Sequence, residues 1–132
     1  MFLEINFILI SIFFPWVRGY EISDSFFISM YILYNFDILD LLFPVIYKIT
    51  IGTHLYIGST KRCAKVRIQE HMRLLFKGIH YNKRMQNWYN ELHCLKVEIL
   101  EYPIKEDVCN REQYWINKLK PDINIIRNVA KY

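Results

Sequence analysis

Cysteine is the first thing this sequence is short of. Cys63, Cys94 and Cys109 make three, an odd number, and no CxxC pair occurs. That argues against a disulfide framework and against a zinc ribbon. His93 and Cys94 are adjacent but lack partners at metal-ligand spacing. The cysteines read as small buried apolar residues, and the chain as one for a reducing intracellular compartment (cytoplasm, nucleoid or organelle interior) rather than for secretion. Glycine is sparse too, with four residues. The glycine signatures of the P-loop, of the GxSxG elbow and of GxGxxG are missing, as is HExxH, and several competing chemistries go with them. Internal repeats and low-complexity tracts are also lacking.

No unbroken hydrophobic run in residues 1–44 is long enough for a membrane span, and basic residues are scarce there. The run Ile5 to Val17 is short for a membrane span, which needs about 20 residues. It follows Glu4 rather than a basic start, and no small-residue cleavage site succeeds it, so a signal peptide does not fit. The second apolar stretch, Phe26 to Phe43, is broken by Asn35, Asp37 and Asp40, which are costly in a bilayer. We read this segment as an apolar extension that packs on the domain or is loosely ordered, in preference to a membrane anchor. Translated upstream sequence without a function is a third reading. Basic residues concentrate elsewhere. Arg18 is the one Lys or Arg in residues 1–44, whereas the whole chain has 17 Lys and Arg against 13 Asp and Glu. The net charge of +4 therefore hides an acidic first third and a basic remainder, a distribution that suits a polyanionic partner and is also common in small domains that bind none. With 53% hydrophobic and 17% aromatic residues the chain is not of a disordered type, and 132 residues suffice for one core with an appendage.

From Val45 the texture changes. Val45 to Thr50 reads as a strand rich in β-branched and aromatic residues, Ile51-Gly52-Thr53 as a turn, and His54 to Ile57 as the returning strand. Gly58-Ser59-Thr60 ends it, with Ser59 or Thr60 placed to cap a helix over Lys61 to Lys77 that Gly78 closes. Asn82 caps a second helix to about Leu92. Leu95 to Tyr102 reads as a third strand, and Glu106 to Leu119 as a third helix stopped by Lys120-Pro121. The expectation is an α+β fold of order ββααβα, a small three-stranded antiparallel sheet with flanking helices over residues 45–132, after the extension 1–44.

The last of these helices contains an oddity. Val108, Trp115, Ile116 and Leu119 fall on one face, and Glu112 lies among them. A carboxylate there is expensive unless paired or bound to a cation, and a buried structural ion pair is the ordinary explanation. Other polar residues can converge on it. Arg67 and His71 are one helical turn apart, and Tyr47 and Tyr56 flank the hairpin. Separately, the tyrosines would be half-buried strand aromatics, Arg67 a solvated helix residue, His71 and His80 surface residues, and Asn124 a turn residue. Together they form a set that phosphodiester cleavage can use. Glu112 would hold Mg²⁺ through oxygen, Arg67 would bind a phosphate, and a tyrosine hydroxyl or His71 would take the proton of the attacking water.

Val45-Ile46-Tyr47, Tyr56-Ile57-Gly58, Arg67 with His71, His80, Glu112 in Arg-Glu-Gln-Tyr-Trp-Ile, and Asn124 after Pro121 occur in the order of the GIY-YIG nuclease motifs. From Val45 to Asn124 the chain resembles that family, and His80 with the following Asn82-Lys83 to Asn87-Trp88 is most similar to its intron-encoded homing endonucleases and their free-standing relatives. The resemblance implies a DNA endonuclease with one Mg²⁺ ion, or Mn²⁺ in its place. It implies Tyr47 as general base or water-positioning hydroxyl, and Tyr56 as hydrogen-bonding near metal or phosphate. Arg67 would stabilise the phosphate, His71 assist proton movement, Glu112 be the sole protein metal ligand, and Asn124 orient the site. Gly58, Lys61, His80 and Lys83 are candidates for substrate contact. Two departures stand out: Val45 replaces the glycine that opens the first motif, and Arg67 lies slightly further from Tyr56 than usual. Homing members carry a further DNA-binding domain after the nuclease module. This chain is therefore expected to show low intrinsic sequence specificity or to use a separate specificity partner. A catalytically weak DNA-binding relative would be marked by loss of Tyr47, Arg67 or Glu112, and none is lost. A small membrane-associated protein, defined by residues 1–44, would resist extraction by salt.

Overall fold

The computed structural model describes residues 43–125, and the expectations for most of the apolar extension fall outside the described residues. Among the described residues no helix is long and apolar enough to cross a membrane. The elements are β1 (Val45–Ile51), β2 (His54–Thr60), α1 (Ala64–Lys77), α2 (Lys83–Leu92), β3 (Lys96–Glu101), a 3₁₀ turn (Lys105–Asp107) and α3 (Val108–Leu119). The order is the expected ββααβα, and the sheet is antiparallel in the order β2-β1-β3.

β1 is central, which explains why its apolar residues run almost without alternation: both of its faces are covered. Val45, Tyr47, Ile49 and Ile51 pack with Ala64, Ile68, Met72 and Leu75 of α1 and Met85 of α2. Ile46 points the other way and packs with Ile57, Val108 and Ile116, the last two from α3. The sheet is thus a middle layer, with α1 and α2 on one side and α3 on the other. Each fully buried isoleucine contributes about 1.5–3 kcal/mol relative to exposure. On the second side Glu101 of β3 anchors α3, accepting from Arg111 Nε at 2.9 Å and from Trp115 Nε1 at 3.1 Å.

Three local outcomes differ from the sequence expectations. First, β2 continues to Thr60, because Gly58, Ser59 and Thr60 pair with Tyr47, Ile46 and Val45. Second, α1 starts at Ala64, not Lys61, and neither Ser59 nor Thr60 caps it: Cys63 is the N-cap and makes no side-chain cap bond. Thr60 Oγ1 instead accepts from the Arg62 N–H in a local turn, and Ser59 is engaged elsewhere. Third, the cysteines are free as expected, but Cys109 is exposed and Cys63 and Cys94 are only half-buried. Since α3 turns Val108 inward, the next residue points outward. Gly78 does close α1, at φ 75°, and Asn82 does cap α2, its side chain accepting from Met85 N–H at 3.1 Å. The hairpin turn needs its glycine, with Gly52 at φ 62°.

Candidate active site

On the α1 side of the sheet, Tyr47 of β1 points into a fully buried position. Its cross-strand partner is Gly58, not Tyr56. Tyr56 pairs with Ile49 and therefore sits diagonally from Tyr47, with ring centroids 6.3 Å apart. The glycine is required: a Cβ at Gly58 would stand 2.5 Å from the Tyr47 hydroxyl oxygen. Gly58 thus makes room for Tyr47, and on that side of the sheet it is covered.

The Tyr47 hydroxyl is 2.8 Å from His71 Nε2, and His71 Nδ1 is 2.8 Å from His80 Nε2. Both histidines are buried rather than on the surface, because β1 and α1 close over His71 and the loop before α2 folds His80 against it. The tautomers follow from the far end of the chain of bonds. The Asn82 backbone N–H donates to His80 Nδ1 at 3.0 Å. A neutral His80 then carries its proton on Nε2 and donates to His71 Nδ1, and a neutral His71 donates from Nε2 to Tyr47. Burial, with the Arg67 charge, pushes the His71 pKa down to about 3, and burial takes His80 down to about 4, so both rings are neutral near pH 7. Neither nitrogen of His71 is open to a water. Burial raises the Tyr47 pKa well above its ordinary value and takes Tyr56 to about 12, while Arg67 opposes both shifts.

Arg67 emerges from α1 one turn before His71, half-exposed. Its Nη1 donates to Glu70 at 2.7 Å and its Nη2 to the Tyr81 hydroxyl at 2.8 Å. Its pKa is raised: burial works against the charge, but Tyr47, Tyr81 and Glu70 outweigh it. Glu112 approaches from α3, across the sheet, and is half-buried where β2 runs out: Ser59 Oγ donates to its Oε2 at 3.0 Å. Burial raises the Glu112 pKa, against the pull of Ser59 and Arg67. The Arg67 charge lowers the pKa of Tyr47, Tyr56 and Glu112, against the larger effect of burial on each.

Asn124 lies at the open edge of β2. Its Oδ1 accepts from the Ile57 N–H and its Nδ2 donates to the Ile57 carbonyl, both at 2.9 Å. The neighbouring residues do the same for Leu55: Asp122 Oδ1 accepts from its N–H, and the Ile123 N–H donates to its carbonyl. Asn82 and Arg84 of the α2 start hold this segment in turn, through the carbonyls of Ile123, Asp122 and Asn124. Asn124 is buried, so it acts on the strand and not as a surface turn residue. Lys61 and Lys83 are exposed, at the start of the β2–α1 connection and at the start of α2.

A family model described as the GIY-YIG catalytic domain matches residues 43–124. The chain belongs to the GIY-YIG family. It is similar to the catalytic domain of the homing endonuclease I-TevI, at 30% identity and a TM-score of 0.53 over 61% of this chain and 92% of that one. A mutant of the catalytic domain of intron endonuclease I-TevI aligns at 29% identity and a TM-score of 0.54, covering 62% of this chain and 89% of that one. No curated protein matches. In this GIY-YIG module Val45, standing for the usual glycine, is fully buried in the α1-side core, so it adds packing where the glycine would add none. Ser59, Glu70 and Tyr81 are the site neighbours that sequence reading did not single out. Ser59 is by type a helix cap, and Glu70 and Tyr81 carry no periodic or motif signal.

Among the described residues no three His, Cys, Asp or Glu side chains are grouped to hold a metal, so a divalent ion here would rest on fewer protein ligands, with Glu112 as the candidate. The chemistry of the site fits such an ion. Glu112 keeps an oxygen beyond the one bonded to Ser59, and Mg²⁺ commonly rests on one or two carboxylates with water and substrate phosphate completing its shell.

Proposed function

We propose that the chain is an endonuclease that hydrolyses DNA phosphodiester bonds, with one divalent ion, Mg²⁺ in preference to Mn²⁺, held by Glu112. The observation that carries the reading is the contact of Tyr47, Tyr56 and His71, with Arg67 one helical turn from His71, in a module of the GIY-YIG family. When bound, the ion would supply charge stabilisation at the scissile phosphate and leaving oxygen. Arg67 would bind the same phosphate, with a planar fork suited to two oxygens. Tyr56, partly buried and nearer solvent than Tyr47, is the hydroxyl best placed to hydrogen-bond and orient an attacking water. With burial raising its pKa to about 12, it stays protonated near pH 7 and positions the water without acting as its base. Tyr47 would back it, its oxygen held by the His71 Nε2–H, so that His71 acts as a donor to the tyrosine and not as a base itself. Asn124 would keep β2, and with it Tyr56, in register.

The sequence preference of this module is expected to be low, or to come from a separate partner, because a module of this size should contact few phosphates and bind weakly, with marked salt dependence. Cleavage of supercoiled plasmid in Mg²⁺ tests the reading. The wild type should nick, chelation should stop it, and Glu112→Ala and Arg67→Ala should each lower the rate by about 10²–10³-fold. Equal nicking by all three proteins would overturn the assignment.

A further inference from the structure

Both arms of the Arg67 guanidinium are occupied, but by acceptors of different kinds. Glu70 is a carboxylate with the charge of a phosphate, and its side chain is 43% exposed. An ion pair that open is weak and screened by salt, so an incoming phosphate displaces it easily. Tyr81 is not a surrogate of that sort. Its hydroxyl accepts from Arg67 and so keeps its own proton, for which the described residues offer no acceptor. The residue is 52% exposed, yet its ring does not swing freely: it stacks on buried His80 at 4.3 Å and 28°. The result is a fixed hydroxyl at the surface, beside the one arginine of the site, with a donor to spare.

We infer that Tyr81 is a DNA-phosphate ligand. Its hydroxyl donates to an oxygen of the phosphate that Arg67 binds, and Glu70 is the placeholder which that phosphate displaces. This rests on the nuclease reading above and adds a substrate contact to it. Burial raises the pKa of Tyr81, which keeps the hydroxyl protonated as a donor. Arg67 and Tyr81 then act as a unit: the arginine polarises the hydroxyl and supplies the charge, and the hydroxyl fixes the second direction of approach.

The test uses the full chain, a short labelled DNA duplex in chelator for binding, and plasmid nicking in Mg²⁺ for rate. Tyr81→Phe keeps the ring and its stacking and removes only the hydroxyl. It should raise Kd and KM about tenfold to a hundredfold, the loss of one hydrogen bond to a charged group, with kcat changed much less. Glu70→Gln should bind more tightly than wild type. In an Arg67→Ala background the effect of Tyr81→Phe should shrink, because the two act through one phosphate. Unchanged binding by Tyr81→Phe, or a defect that appears only in Tyr81→Ala, would overturn the inference and leave the ring a packing element. Wild type that binds the duplex but never nicks would overturn the nuclease reading, with the binding comparison still deciding Tyr81. Wild type that does not bind would overturn both.

Discussion

At the scale of single residues, the most constrained position is Gly58. An added methyl would press on the Tyr47 ring end, at 2.5 Å from its oxygen and 2.6 Å from Cζ. That ring is fully buried and its hydroxyl is tied to His71, so it cannot step aside cheaply. Gly58→Ala should therefore lose about 1–3 kcal/mol in urea unfolding, the usual cost of overpacking. It should also lower cleavage measured under conditions where the protein is still folded. Motif order in the sequence pointed to Tyr47, Tyr56, Arg67, His71 and Glu112 as candidates. What it did not reveal is where their side chains sit. Burial of His71 and His80 depends on a loop folding back against α1, and nothing local in Ile79-His80-Tyr81 announces that. The direction of the hydrogen bonds to Tyr47 is set by a backbone N–H at Asn82, which no side-chain pattern encodes.

At the scale of elements, β2 is held on one side by β1 and on the other by two side chains and one backbone N–H of residues 122–124. Asn124 suits the task because its amide presents an acceptor and a donor together, as a strand would. Asn124→Ala would leave the Ile57 N–H and carbonyl without these partners, and should cost about 1–3 kcal/mol by thermal or urea unfolding. Asn124→Asp should not restore the loss, since its carboxylate would face the Ile57 carbonyl. The strand and helix order was legible from periodicity and from Gly and Pro punctuation. The ends were less so. β2 outran its apolar residues because pairing with β1, not side-chain pattern, decides where a strand stops. α1 began late because Ser59 and Thr60, good caps by type, were claimed by the strand and by a turn.

For the whole molecule, the neutral histidine pair links stability to pH. His71 has a folded pKa of about 3 and His80 of about 4, both below the 6.5 of a free side chain. The unfolded chain therefore binds more protons between those values, and stability rises with pH across that window. The contribution is complete above about pH 6.5 and is lost as pH falls toward 4 and then 3. Thermal unfolding should show the melting temperature dropping from about pH 6.5 downward, before the carboxylates titrate. His71→Gln should flatten that upper part of the curve, and an unchanged profile in this variant would rule the histidine out as its source. The segment Asp122–Asn124 has one more effect at this scale. An edge strand normally offers its unpaired backbone to any extended chain that drifts by, and so invites aggregation. Here the chain's own later residues already sit on the Leu55 and Ile57 groups, so the strand that carries Tyr56 is shielded from foreign strands.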